Sequence, residues 1–364
     1  MSTGGTGEAG ENDDPRSSDS DIVRRESLRH NQYNAVTTSI EQVNTADGRV
    51  LVRKRLGRSK ADSPEHWQAS DDPHHWNSWR REAAAYRDDR LEASLVGTGL
   101  ARPAARVEED AAGITLWLDF VEGDSGAGLA LEDHAALARG LGRWQASEPI
   151  VVPWSSKGFL RAYSGSKPAA VALIDDDGAW GRPIVRECLP PSLRTGWARL
   201  LANRERLLGI MEGLPRVFAH LDVWASNVVR RADGTVVLVD WSFAGDGAAG
   251  EDIGNLVPDG VFDLFWPADR LVELEEAVFV AYTEGLGEAG WAGDPRLVRL
   301  GMTAACVKYT WMLPGVLAEA ADPQPVAYWR TVDPVHKFTA RGLGMAHLVG
   351  WCDEALALAD RLGR

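Results

Sequence analysis

The sequence predicts an α+β protein in two lobes, a small β-rich N-lobe and a larger helical C-lobe. Three observations carry this expectation. The first third sets short β-branched runs between turn residues, the sign of antiparallel hairpins. The last third, from Phe262 onward, repeats apolar residues at helical spacing. Between the two, Gly123-Asp124-Ser125-Gly126 reads as a flexible boundary. At 364 residues the chain is long enough to give each lobe its own core. The expected division is a disordered tail over 1–25, an N-lobe over 26–122 and a C-lobe over 123–364.

Composition narrows the function classes. The hydrophobic fraction of 45% and charged fraction of 25% are those of an ordinary soluble globular protein. A net charge of −14 argues against non-specific nucleic-acid binding, which needs an excess of Lys and Arg. No run of about 18 apolar residues exists, so no membrane-spanning helix is expected. The N-terminus lacks the basic and apolar segments of a signal peptide. Cys188, Cys306 and Cys352 are widely spaced without a CxxC pair, and read as buried, reduced and structural in a cytoplasmic protein. The fifteen tryptophans follow no repeat and read mostly as core or interlobe fillers.

Taken in order, residues 1–25 are rich in Gly, Ser, Asp and Glu without an apolar face. Ala35–Val43 and Val50–Lys54 then frame Asp47-Gly48 as a hairpin, with another strand beginning near His30. Lys54 ends an alternating run on the face of Val52. Residues 56–75 form a polar insertion, read as a loop. Trp76–Arg87 reads as a helix on which Trp79, Glu82, Ala83 and Tyr86 share a face. Glu82 is thus a carboxylate within an apolar stripe, where an unpaired charge is costly, and Lys54 on the adjacent sheet is its natural partner. Ala104–Val107 and Ile114–Val121 form another hairpin. Helices are expected at Leu131–Ser147, Leu193–Met211, Asp269–Leu286, Pro295–Ala321 (interrupted at Pro314) and Phe338–Leu362.

The chemistry concentrates in Val217–Asn255. His220-Leu221-Asp222 opens a short polar loop, and Asn227 starts a β-branched run that turns at Asp233-Gly234 and ends at Asp240. A two-residue turn there pairs Ala232 with Thr235 and places Asn227 opposite Asp240. A carboxylate and an amide oxygen so placed could share one hard cation such as Mg²⁺. Asp222, upstream on the same loop, is left to face a hydroxyl nucleophile.

This stretch resembles the catalytic and metal-binding loops of the aminoglycoside phosphotransferase and choline kinase families, which share the protein-kinase-like fold. Their pattern is His-Gly-Asp-x-x-x-x-Asn, then a hydrophobic strand ending in Asp before Trp, Leu or Phe. Leu221 departs from the family's Gly. The resemblance implies Asp222 as base, Asn227 and Asp240 as Mg²⁺ ligands, and Lys54, paired with Glu82, as the clamp on ATP phosphates. Leu118–Gly123 resembles the family's hinge, which puts Asp119 and Val121 at the adenine and Asn34 in the loop over the phosphates. That loop, His30–Thr37, contains no Gly. Asp252 resembles a structural Asp that opens a helix and braces the catalytic loop, in the role of an N-cap. Asp246, Glu251, Asp259, Asp263 and Trp266 are near enough in sequence to line an acceptor wall. The expected activity is ATP-dependent transfer of the γ-phosphate to a hydroxyl of a small molecule: aminoglycoside-like, amino alcohol or sugar. Two alternatives stand beside it: a tailoring kinase acting on Ser or Thr of a precursor peptide, and a nucleotide-binding pseudokinase.

Overall fold

A computed structural model describes residues 21–167, 170–327 and 330–364. The N-terminal half is built on a five-stranded antiparallel sheet. Its strands are β1 (Ile22–Ser27), β2 (Thr37–Thr45), β3 (Val50–Leu56), β5 (Ala105–Asp110) and β6 (Gly113–Asp119), with β4 (Leu100–Ala101) lying outside it. Their order is β1-β2-β3-β6-β5. Alternation along β3 and β6 buries Leu51 and Trp117 on one face, against Val43. Leu56, Leu116 and Leu118 go to the other face, in the main core under the Arg81–Arg87 helix.

The expected tail needs correction at its end. Residues 1–20 lie outside the described residues, but Ile22–Arg25 belong to β1, which pairs with β2 at the sheet edge. The strand expected near His30 has already ended at Ser27. The expected Trp76–Arg87 helix begins only at Arg81, because the carbonyls that would start it are taken. Trp76 O accepts from Arg81 Nη1 at 2.9 Å and Asn77 O from Ser70 N at 3.0 Å. The Leu193–Met211 helix divides into Leu193–Ala202 and Arg204–Glu212. At the break, Asn203 turns its backbone and side-chain N–H groups onto Arg199 O, both within hydrogen-bond distance.

The C-terminal half is helical around two small central sheets, with a further two-residue pair, Val326–Ala327 against Arg330–Thr331. β7 (Arg216–Ala219) pairs with β10 (Gly245–Ala248), while β8 (Val228–Arg230) and β9 (Val236–Leu238) form the central hairpin, with β4 added in parallel to β9. The longest helices are Leu131–Gln145, Leu271–Glu288 and Pro334–Leu362, the last capped by Asp333 and opened by Pro334. Leu131–Gln145 and Leu271–Glu288 pack so closely that a Cβ on Gly142 would sit 2.1 Å from Tyr282 O. The three cysteines are free and buried. Among the described residues no helix is long and apolar enough to cross a membrane.

The insertion at 56–75 packs down onto the helical half. Trp67 and Trp76 join Tyr163, Phe159 and Phe243 in an aromatic cluster beneath the His220–Asp222 loop. Arg81, 1% exposed, donates to Pro73 O, His75 O and Trp76 O from that segment and its immediate continuation, and to Trp154 O and Ser242 O from the helical half.

Candidate active site

A cavity of about 1260 Å³ runs between the sheet and the helical half. Lys54, Glu82, Asn34, Asp119, Val121, Asp222, Asn227 and Asp240 all line it. Lys54 on β3 lies 2.7 Å from Glu82 Oε2 and 3.1 Å from Asp240 Oδ1. Burial alone would lower the Lys54 ammonium, but the Asp240 and Glu82 carboxylates outweigh it and hold it above its ordinary range. Burial pushes Glu82 up to about 7 against the pull of Lys54. Asp240 also resists burial and stays below its ordinary value, because it faces Lys54.

The hairpin register differs from the expected one by a residue. Arg230 pairs with Val236, and Val228 with Leu238. Arg231 and Thr235 close a three-residue loop in which Gly234 takes the left-handed position (φ +91). Asn227 therefore lies opposite Val239, whose N–H donates to Asn227 O at 3.0 Å. Asp240 sits one residue beyond the register, in a left-handed turn (φ +61) that swings its side chain to Lys54. The Asn227 amide donates to Asp222 O at 3.1 Å and Asp222 Oδ2 at 2.9 Å, which leaves its carbonyl oxygen as an acceptor. Burial pushes Asp222 up to about 7; Lys308 opposes the shift, while Asp240 and Asp259 add to it.

The loop holding Asp222 is braced from behind. Asp252 accepts His220 N at 3.0 Å and Leu221 N at 2.7 Å, and takes Gln145 Nε2 at 2.6 Å. Gln145 is in turn held by Tyr282 Oη at 2.7 Å. Asp252 lies in the first turn of Glu251–Phe262, whose N-cap is Gly250, so its side chain braces the loop and does not cap its own helix. Leu221 has φ +65, the conformation in which the resembling pattern places Gly. Its side chain is fully buried against Trp76, Phe243 and Phe159.

Other expectations fare unevenly. The Gly-free loop is held by its own side chains: Asn31 Oδ1 accepts Tyr33 N at 2.9 Å and Asn34 Oδ1 accepts Val36 N at 3.0 Å. Asn34 Oδ1 also takes Asn77 Nδ2 at 3.3 Å, so its amide oxygen is committed to the loop's shape. Asp119 Oδ1 accepts Arg49 Nη2 at 3.2 Å at the rim. Of the five wall candidates, Asp259 and Asp263 line the cavity. Asp246 instead pairs with Arg216, Glu251 accepts Ala248 N, and Trp266 packs on His134. Sequence reasoning missed Lys308, Tyr163, Trp311, Glu319 and Arg341, all in the cavity wall. Lys308, Trp311, Glu319 and Arg341 come from segments whose only visible signal was helical periodicity, and Tyr163 from a stretch in which no element was expected, although it lies in the Phe159–Ser166 helix.

A β-sheet over a helical half, with a Lys–Glu–Asp cluster and an Asp–Asn pair facing one cleft, defines the class: a phosphotransferase of protein-kinase-like fold. The match of a family model agrees. Residues 42–293 match the phosphotransferase enzyme family, and the chain belongs to it. Among solved structures, an amicoumacin kinase in complex with AMP-PNP, Ca²⁺ and Ami is 10% identical, covering 90% of this chain and 88% of that one, with a TM-score of 0.53. A choline kinase from Cryptosporidium parvum Iowa II is 12% identical over 94% of this chain and 92% of that one, with a TM-score of 0.50. At these identities the likeness shows the fold alone. No curated protein sequence gives a significant match.

Proposed function

We propose that the protein transfers the γ-phosphoryl group of ATP to a hydroxyl of a small molecule, of the aminoglycoside-like, amino alcohol or sugar class. The observation that carries this reading is Lys54 bridging Glu82 and Asp240 in the same cleft as the Asp222–Asn227 pair. Lys54 holds the phosphates and Glu82 fixes Lys54. Asp222 accepts the proton of the acceptor hydroxyl as that oxygen bonds to phosphorus. The bond between the γ-phosphorus and its bridging oxygen breaks, and ADP leaves with the electron pair.

The donor set fits Mg²⁺. The free carbonyl oxygen of Asn227 and the one-third-exposed carboxylate of Asp240 are hard oxygen donors, and Mg²⁺ completes its shell with phosphates and water. When bound, the ion would neutralise charge on the phosphates.

The test is Mg²⁺-dependent ATP turnover, measured for wild type and Asp222→Ala. Turnover lost in the variant, with ATP affinity retained, supports the reading. Equal turnover in the two proteins would remove Asp222 as the base, and none in either protein with every hydroxyl acceptor tried would point to a nucleotide-binding pseudokinase.

A further inference from the structure

The chain has six lysines against thirty-three arginines, so it meets most needs for positive charge with guanidinium groups. Five of the six, at 54, 60, 167, 308 and 337, line the cavity or touch residues that do. Lys60 donates to Gln32 and Thr37, Lys337 pairs with Glu319, and Lys167 lies on Trp67 and Tyr163. An ammonium is a compact point charge on a flexible stem, suited to an anion that arrives and leaves.

On the acceptor side of Asp222, the chain's own cations already partner the carboxylates. Glu319 is held by Lys337 and Arg341, and Asp259 by Lys308 at 3.6 Å. Asp263 lies in the fields of Arg341 and Arg330; burial, with Asp259 adding, pushes it up to about 7, so it carries only part of its charge at neutral pH. The cation left over is Lys167. Its Nζ stands 3.4 Å from the centre of the Trp67 ring, 4.4 Å from Tyr163 and 6.0 Å from Trp311, three rings of the cavity wall. Among the described residues no carboxylate pairs with it. Burial and the nearby Lys308 push its ammonium down to about 7, with Asp222 pulling the other way. A desolvated cation without a counter-ion is costly, and an arriving anion relieves the cost.

Resting on the phosphotransferase reading above, we infer that the acceptor carries an anionic group, a carboxylate or phosphate beside its hydroxyls, and that Lys167 and Lys308 receive it. The ring faces of Trp67, Tyr163 and Trp311 hold the Lys167 ammonium in place and cover the apolar part of the acceptor. A strongly cationic acceptor would instead meet Lys167 and Lys308 as like charges, so of the three acceptor classes proposed above the inference selects the sugar, in an acidic form, over the aminoglycoside-like and amino alcohol ones.

The test uses three compounds of one ring skeleton that differ in charge: glucuronate, glucose and glucosamine. Binding to the full-length protein, with and without MgADP, is measured by calorimetry, and phosphoryl transfer from MgATP by mass gain. Wild type is expected to bind glucuronate roughly tenfold or more tightly than glucose, the scale of one close charge pair, with glucosamine weakest. Lys167→Met and, separately, Lys308→Met are expected to remove most of that preference while melting near the wild-type temperature. No preference for glucuronate, or its survival in both variants, overturns the inference. So does tighter glucosamine binding in Lys167→Met, which would make Lys167 a stand-in for a cationic acceptor. Loss of MgATP turnover in wild type alongside a retained glucuronate preference would instead sink the phosphotransferase reading and leave the anion site standing.

Discussion

Asp252 takes the backbone N–H of Leu221 at 2.7 Å, and so fixes from behind the loop whose next residue is Asp222. The carboxylate's other oxygen takes His220 N and Gln145 Nε2. Asp252→Asn would keep one acceptor and turn an NH₂ toward donors. Leaving a buried N–H unpaired costs about 1–3 kcal/mol, so the variant is expected to lose that much stability. Phosphoryl transfer should fall further than ATP affinity, because the loop and not the cleft is disturbed. Urea melts and steady-state kinetics together decide it, and an unchanged kcat would remove the bracing role.

Leu221 carries two opposed terms. Its left-handed backbone costs roughly 1–2 kcal/mol that glycine would save. Its fully buried side chain fills space worth roughly 2–5 kcal/mol. Packing wins, so Leu221→Gly is expected to destabilise the fold although it restores the residue of the resembling pattern. A variant more stable than wild type in a denaturant series would show that backbone strain dominates.

Removing the Lys54 ammonium leaves Glu82 and Asp240 facing each other without a cation. Lys54→Met is expected to lower kcat/KM for ATP on the order of a hundredfold, the scale of losing one preorganised charge at the reacting phosphates. Glu82→Gln should cost less, because Lys54 keeps Asp240 at 3.1 Å. An unchanged kcat/KM for ATP in Lys54→Met would remove Lys54 from the phosphate site.

Asp88 supplies an acid-sensitive cap. Its carboxylate accepts Arg90 N at 3.0 Å at the start of the Asp89–Leu95 helix, and also Trp154 Nε1 at 2.9 Å. Hydrogen bonds from Arg90 first, then from Trp154, lower its pKa from 3.8 to about 2. A carboxyl depressed by folding stabilises above its unfolded pKa and loses that contribution as pH falls through the folded value. Asp88→Asn should therefore differ from wild type at pH 5 and progressively less between about pH 4 and pH 2, as urea midpoints would record. A gap constant with pH would mean the charge is irrelevant.

The parts of this site legible in the sequence were those written in local pattern. The stripe that put Glu82 among apolar residues pointed to Lys54, and the two are in contact. The Asp-Gly turn gave the hairpin but misplaced its register, because Gly234 serves a three-residue loop and not a two-residue one. Proximity of Asn227 and Asp240 to one cleft survives that error only because Asp240 leaves the strand in a left-handed turn, which no residue pattern announces. The cavity wall beyond Asp222 was least legible. Lys308 and Arg341 are separated from Asp222 by scores of residues, and only the packing of Pro334–Leu362 and the 305–309 segment brings them together.

Arg81 has a thermodynamic consequence for the whole chain. Its five acceptors are divided between the insertion and the helical half, and its own helix belongs to the sheet. Neither half could melt alone without taking away part of the set of carbonyls that keeps this guanidinium buried. The two lobes should therefore unfold as one cooperative unit, with a single calorimetric transition whose van't Hoff and calorimetric enthalpies agree.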